Sequence, residues 1–78
     1  MPALFDRVQK IIMKQLNVDE SQVSGDASFT DDLGADSIDS VELVMAFEAE
    51  FNIDITEQDA EGFIKVDDVV KYLQARLG

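Results

Sequence analysis

The side chains of this sequence that could do chemistry are carboxylates and hydroxyls. Its 78 residues include 17 acids but no histidine and no cysteine. That composition excludes Ser-His-Asp and Cys-His catalysis, disulfides, and metal sites built from imidazole or thiolate ligands. Carboxylates could act as a general acid and base, but no two of them are marked out as a pair within an apolar segment. A carboxylate hydrolase is therefore the one enzyme class left open, with little in its favour.

Binding motifs with a fixed spacing give a similar result. No glycine-rich phosphate loop of the Walker or dinucleotide-binding type is present. Asp31 and Glu42 have the spacing of the first and twelfth ligands of an EF-hand loop. However, Leu33 and Ala35 occupy its third and fifth positions, and the required glycine is missing. We therefore expect no dedicated metal site, although the acids could bind divalent ions loosely.

Ser37 is the hydroxyl whose position is best suited to chemistry. It begins a predicted helix after a long polar connection, with Asp36 as the N-cap and Asp39 in a capping-box position. A hydroxyl there is reachable, and an anion joined to it would face free backbone N–H groups and the positive end of the helix dipole. The two acids argue against binding of free phosphate and suit docking to a basic modifying enzyme. Ser37 could thus carry a phosphodiester, or it could be only a serine at a helix start.

Charge is distributed unevenly along the chain. The net charge is −11, and the segment from Gln15 to Ile64 holds 14 of the 17 acids and no base. All the bases lie near the two ends, at Arg7, Lys10, Lys14, Lys65, Lys71 and Arg76. Such a chain repels the phosphates of nucleic acids and attracts proteins with basic patches. The alternative is that the acids only keep a small protein soluble.

Membrane insertion and secretion are not indicated. No apolar run approaches the roughly 20 residues that a helix needs to cross a bilayer. The N-terminal segment 1–7 lacks the basic start and apolar stretch of a signal peptide. We therefore expect a soluble, non-secreted chain.

The elements that must position Ser37 are predicted to be helices, because apolar residues recur at helical spacing. The predicted helices cover 4–16, 37–51, a short turn between Thr56 and Gly62, and 66–77. Pro2 suits the start of the first helix, and Asn17 its end. The sequence therefore predicts one all-α domain over 1–78. It is a small four-helix bundle with three longer helices, one short helix and a long loop between the first and second helices.

The second predicted helix has two apolar faces when its residues are placed at intervals of about 100°. One face is an ordinary core stripe of Leu43, Val44, Phe47 and Phe51. The other face consists of Ile38, Val41 and Met45, with Glu42 and Glu48 on its two sides. Because a helix beside one core needs one apolar face, the second face predicts a surface for docking a partner. The alternative is that the long loop or another helix covers it.

The segment around Ser37 also resembles a known family. Leu-Gly-Ala-Asp-Ser-Ile at 33–38 resembles the phosphopantetheine attachment signature of acyl carrier proteins. Asp-Ser-Val-Glu-Leu-Val-Met-Ala at 39–46 is similar to the recognition helix of that family. The likeness covers nearly the whole chain, and it is greatest to the discrete carriers of dissociated (type II) fatty acid synthesis.

The resemblance implies that Ser37 carries a covalent 4′-phosphopantetheine arm, which a phosphopantetheinyl transferase takes from coenzyme A. The arm would hold growing fatty acyl chains as thioesters and deliver them to fatty acid synthesis enzymes, with no catalysis by the chain itself. The resemblance also implies a docking set for basic patches on these enzymes. Its members are Asp36, Ile38, Asp39, Val41, Glu42, Met45, Glu48, Glu57 and Glu61.

The family shelters acyl chains between its helices, and this implies a pocket. The matching positions are Phe29, Leu33, Val44, Phe47, Ile55, Ala60, Phe63, Val69 and Tyr72. Phe47 and Phe63 are bulkier than the aliphatic residues usual there, which leaves the depth of the pocket open. Ile38 replaces the usual leucine after the serine, and Ala49 stands where many members carry an acid. We expect a monomer in the cytoplasm, or in a plastid stroma if a transit peptide has been removed.

Two other functions stay open at this point. The same fold serves carriers dedicated to polyketide, lipid A or D-alanine chemistry, although the recognition helix matches the fatty acid type more closely. An acidic chain of this kind could instead be an interaction module or a chaperone-like adaptor that never receives the arm.

Overall fold

The computed structural model describes residues 3–78 and gives an all-helical fold for this part of the chain. Its helices are α1 (Ala3–Leu16), α2 (Ser37–Phe51), α3 (Glu57–Ala60) and α4 (Val66–Leu77). The predicted four-helix fold is confirmed, and α2 and α4 have the predicted bounds. Pro2, the predicted helix start, lies outside the described residues. Within 3–78, no helix is both long enough and apolar enough to span a bilayer.

The ends of α1 and α2 depend on two asparagines. Asn17 and Asn52 both adopt the left-handed conformation, each with φ of 55°. Asparagine tolerates this region better than most residues, so it can end a helix without a glycine. The backbone N–H of Asn52 still donates to the carbonyl oxygen of Glu48. The end predicted at Asn17 is therefore confirmed, and Asn52 ends α2 in the same way.

One apolar core holds the helices together. Helix α1 contributes Val8 and Ile12, which have no exposed surface, and it packs against both α2 and α4. The remaining buried apolar residues come from α2, α4 and the connections: Val23, Ala27, Phe29, Leu33, Ala35, Leu43, Phe47, Phe51, Ile55, Val66, Val69 and Leu73. Burial of a large apolar side chain contributes roughly 1.5–3 kcal/mol, so these residues supply most of the driving force for folding.

The long loop between α1 and α2 is fixed to the rest of the molecule. Val23, Phe29 and Leu33 are buried, so these apolar residues attach the loop to the core. The N–H of Phe29 donates to the carbonyl oxygen of Ile64, at 3.0 Å, and forms part of a short antiparallel contact with the connection before α4. The loop also contains a 3₁₀-helix, Glu20–Gln22, which the sequence analysis did not predict.

An exposed ion pair joins α1 to the C-terminal end of α2. The Arg7 Nη2 atom lies 2.9 Å from Glu50 Oε2, and the guanidinium carbon lies 4.5 Å from the centre of the Phe51 ring. Both charged side chains are roughly half exposed, so the pair contributes at most about 1 kcal/mol. It lies at the opposite end of α2 from Ser37.

The two-faced character of α2 can be tested with two alanine substitutions. Leu43→Ala should lower the free energy of unfolding by about 2–5 kcal/mol, because Leu43 is 3% exposed and its removal leaves a cavity. Met45→Ala should change it by no more than about 0.5 kcal/mol, because Met45 is 61% exposed. Urea unfolding measures both values. Similar losses for the two variants would contradict this assignment of faces.

Candidate functional site

A reciprocal cap fixes the start of α2. The Asp36 Oδ1 atom accepts a hydrogen bond from the Asp39 N–H at 2.8 Å. The Asp39 Oδ2 atom accepts one from the Asp36 N–H at 3.2 Å. The predicted capping box is therefore confirmed. Ser37 is the first residue of the helix, and its side chain is exposed as predicted.

The chain that leads into this cap is anchored on the core. Leu33 and Ala35 are buried on either side of Gly34, which adopts a φ of 71°. A positive φ is costly for most residues and easy for glycine, so Gly34 lets the chain turn between two buried neighbours. The Ala35 N–H donates to the carbonyl oxygen of Phe29 at 2.8 Å. The position of Ser37 thus depends on the packing of Leu33 and of Ala35, the residue directly before the cap.

The second apolar face of α2 is open to solvent. Ile38, Val41 and Met45 are 67%, 59% and 61% exposed. Neither the long loop nor another helix in the described chain covers them, so the alternative that this face is buried is wrong. Three large apolar side chains therefore line one exposed stripe that starts next to Ser37.

The acids predicted to surround this stripe differ in their availability. Asp36, Glu42, Glu57 and Glu61 are exposed, and Asp39 is half-buried with one oxygen in the cap. Glu48 is half-buried too, and its Oε2 atom accepts the Ile55 N–H at 2.8 Å. One carboxylate oxygen of Glu48 thus fixes the link between α2 and α3. The sequence offered no sign of this contact.

A cavity of about 570 Å³ opens beside Ser37. Its walls are formed by α2, by Phe29 and by the segment 55–63 that contains α3. The lining includes six of the nine positions that the resemblance implied for a pocket: Phe29, Val44, Phe47, Ile55, Ala60 and Phe63. Phe47 and Phe63 therefore form walls of this cavity rather than filling it.

The other three implied pocket positions do not reach the cavity. Leu33 is buried under the loop before α2, and Val69 has no exposed surface within the core. Tyr72 lies behind Phe63, with the two ring centres 5.2 Å apart in an edge-to-face arrangement. Phe63 thus separates Tyr72 from the cavity. Their lining of an acyl pocket stays a prediction that the geometry does not support.

Two hydroxyls at the cavity were missed by the sequence analysis. Ser40 and Thr56 both line it, and Ser40 lies one helical turn after Ser37 on the same face of α2. That spacing of three residues was a usable signal for Ser40. For Thr56 the sequence indicated only a structural role, as the N-cap of α3. Its Oγ1 atom has that role, since it accepts a hydrogen bond from the Asp59 N–H at 3.1 Å.

The network around Tyr72 was also not predicted. The Tyr72 hydroxyl donates to Asp59 Oδ2 at 2.9 Å and accepts a hydrogen bond from Arg76 Nη1. Partial burial, together with the hydrogen bond to the Asp59 carboxylate, raises the pKa of Tyr72 above its ordinary value of 10.0, although Arg76 opposes the shift. The neutral phenol is therefore the favoured form, and it is the form that can donate to Asp59.

The fold and site define a class of protein: a small helical domain in which a surface serine precedes an exposed apolar stripe and adjoins a cavity. Comparison with known proteins supports that class. The phosphopantetheine attachment site family matches residues 6–73. The chain is 54% identical over 72 residues to the acyl carrier protein of Helicobacter pylori, which covers 92% of each chain. It is 53% identical over 78 residues to the acyl carrier protein of Phenylobacterium zucineum, covering 100% of this chain and 99% of that one.

The chain belongs to the acyl carrier protein family. It is a carrier and not a catalyst, and its cofactor is phosphopantetheine. The residues present fit that group, because the site offers an exposed hydroxyl at Ser37 and apolar room beside it. When bound, the group supplies a thiol on which acyl chains are carried as thioesters. A chain without cysteine needs that sulfur from outside.

The raised pKa of Tyr72 predicts a specific titration. Tyr72 is the only tyrosine and there is no tryptophan, so phenolate absorbance reports on this residue alone. The midpoint should lie above 10.0 in the folded protein, and Asp59→Ala should lower it by removing the acceptor carboxylate. Because the folded pKa is raised, the stabilisation by this phenol is present below pH 10.0 and is lost as the pH rises through the folded pKa.

The matched control for this titration is Asp54→Ala. Asp54 is a nearby exposed acid that meets the network only through its backbone carbonyl, which accepts from Arg76 Nη1 at 2.9 Å. This variant should leave the midpoint almost unchanged. A midpoint at or below 10.0 in the parent, or equal shifts in the two variants, would contradict the assigned cause.

Proposed function

We propose that Ser37 is the residue that receives the 4′-phosphopantetheine group: its hydroxyl oxygen forms a phosphodiester as a phosphopantetheinyl transferase breaks the pyrophosphate link of coenzyme A, and adenosine 3′,5′-bisphosphate leaves. The observation that carries this proposal is the position of Ser37: exposed, first in α2 and on the wall of the cavity. The matched family segment, 6–73, includes it. The free N–H groups of the first turn and the helix dipole favour an anion there. Ser40 also lies on the cavity wall, but it is half-buried one turn further along α2.

The proposed task of the cavity is to shelter the acyl chain. Its volume, about 570 Å³, falls within the range of about 300–1,000 Å³ that is typical of small-molecule sites. Apolar side chains from three parts of the chain converge on it, among them Phe29, Val44 and Ile55. Ser40, Thr56, Glu57 and Glu61 line it as well, so a chain that enters from Ser37 meets polar groups as well as apolar ones.

The proposed docking surface combines the exposed stripe of α2 with the acids around it. Ile38, Val41 and Met45 would form its apolar centre, since their exposure leaves them free to be buried by a partner. Asp36, Asp39, Glu42, Glu57 and Glu61 would meet basic patches, and Glu48 would contribute through the oxygen that does not bind Ile55. Complementary charge of this kind speeds encounter and fixes orientation. The partners would be the phosphopantetheinyl transferase and the enzymes of fatty acid synthesis.

We also propose that the protein is a single-domain monomer of the cytoplasm. A single carrier domain over 1–78 is supported by one shared core in the described residues. A net charge of −11 opposes self-association and favours a monomer. A cytoplasmic location is supported by the bacterial origin of both relatives, which gives no support to the plastid alternative.

Attachment at Ser37 can be tested by mass. After incubation with coenzyme A and a phosphopantetheinyl transferase, the intact protein should gain one phosphopantetheine group, and Ser37→Ala should gain none. Ser40→Ala is the matched control, because it removes a hydroxyl from the same face of the same helix and should still be modified. Peptide mapping then locates the added group. A gain that survives Ser37→Ala would show that another residue is used.

Docking can be tested with two charge reversals of equal size. Glu42→Lys should raise the KM of the transferase for this protein by roughly tenfold at low ionic strength, because it places a base beside the exposed stripe. Glu20→Lys makes the same change on the exposed 3₁₀-helix of the long loop and should have little effect. The difference between the variants should shrink as salt is added. Equal effects would mean that net charge, and not this surface, governs recognition.

A further inference from the structure

The outer wall of the cavity, residues 55–61, has few buried contacts of its own, because only Ile55 is buried and Ala60 packs partly against the core. It contains α3, which has only four residues and none that is buried. A helix of this length is not stable in isolation, so its place in the fold depends on contacts with its surroundings. Ala60 and Glu61 from this segment line the cavity. Whatever holds the wall therefore also determines the shape of the cavity.

Helix α2 holds the first residue of the wall. The Oε2 atom of Glu48 accepts the Ile55 N–H at 2.8 Å, and Ile55 is buried. The other end of the wall has no such anchor on α2 among the described residues. Its attachment lies on α4 instead.

Two polar side chains of α4, those of Tyr72 and Arg76, hold the wall. The Tyr72 hydroxyl donates to Asp59 Oδ2 on α3 at 2.9 Å. Arg76 donates through Nη1 both to the Tyr72 hydroxyl and, at 2.9 Å, to the carbonyl oxygen of Asp54 just before the wall. The guanidinium carbon of Arg76 also lies 5.5 Å from the centre of the Tyr72 ring. We refer to Asp59, Tyr72 and Arg76 as the α3 latch.

We propose that the α3 latch is a set of positioning residues that keeps the wall closed over the acyl chain. Tyr72 is suited to this task because its ring packs against Phe63, a lining residue, while its hydroxyl holds α3. It thus acts on the cavity through other residues and does not line it. The inference rests on the proposed function, since a wall that retains a chain requires a cavity that receives one.

The position of the latch indicates that it acts locally. Asp59 and Arg76 are exposed, and Tyr72 is half-buried at the edge of the core formed by α1, α2 and α4. Segments with few buried apolar contacts open independently of global unfolding. Loss of the latch should therefore loosen the wall and leave the rest of the fold closed. A residue that only stabilised the fold would affect every element equally.

Tyr72→Phe tests this in the full chain without the attached group. The variant keeps the ring against Phe63 and removes only the hydroxyl. Hydrogen exchange of the Ala60 and Glu61 amides, which donate to Thr56 and Glu57, should become about fivefold faster, which corresponds to the loss of one hydrogen bond. Exchange of core amides in α1, such as that of Ile12, should be unchanged. Uniform acceleration over both helices, or no acceleration at Ala60, would overturn the proposal.

Arg7→Gln is the matched control. It breaks an exposed contact of similar kind, a hydrogen-bonded arginine over an aromatic ring, at the far end of α2. It should leave exchange at Ala60 unchanged. Asp59→Ala provides a second route, because it removes the acceptor and should accelerate exchange at Ala60 as Tyr72→Phe does. A difference in sign between these two variants would also overturn the proposal.

A comparison of loaded forms separates this inference from the proposed function. In the parent protein, an octanoyl group on the arm should slow exchange at Ala60 relative to an acetyl group, because only the longer chain reaches the wall. If the parent shows no such difference, the proposed cavity function fails. If the parent shows it and Tyr72→Phe retains all of it, the cavity function stands and the latch does not. Loss of half or more of the difference supports the latch.

Discussion

The reciprocal cap between Asp36 and Asp39 is the contact on which the rest of the site depends. It determines the residue at which α2 begins, and therefore the direction in which every later side chain of the helix points. A shift of one residue would rotate each of them by about 100° around the axis. The core stripe would then leave the core, and Ser37 would no longer stand at the first turn. The cap, a contact worth about 1 kcal/mol, and the much larger burial of the core stripe therefore favour the same start of the helix.

The molecule divides its stability unevenly between core and wall. Helices α1, α2 and α4 share completely buried residues such as Ile12, Phe47 and Leu73. The wall formed by α3 has one buried residue, Ile55, and is also attached by polar side chains at its two ends, Glu48 on one side and Tyr72 on the other. This division suits the proposed function, because the structure around Ser37 can stay fixed while one side of the cavity adapts to the acyl chain that we propose it shelters. The acidic surface adds self-repulsion that a larger core would tolerate more easily.

Sequence reasoning succeeded where the determinants are local. The bounds of α2 and α4, the cap at Asp36 and the stop at Asn17 follow from spacing and capping over a few residues. It missed Glu20–Gln22, because all three residues of that turn are exposed and leave no apolar pattern. The family resemblance also implied that Tyr72 lines the acyl pocket, but Tyr72 is not among the residues that line the cavity. The contact of Tyr72 with Asp59 spans a connection whose path no periodicity specifies.

The open stripe of Ile38, Val41 and Met45 has a consequence for how this helix can evolve. Under the proposed docking function, neighbouring positions on α2 are subject to two constraints, one imposed by the chain's own interior and one imposed by the surfaces of other proteins. Substitution at the interior positions is limited by the volume of the core, whereas substitution at Met45 and the other two stripe residues is limited by the surfaces of the proposed partners. The substitutions that one helix tolerates are thus determined by two different constraints. A library of α2 variants selected only for folding would therefore reveal the constraint from the core and not the constraint from the partners.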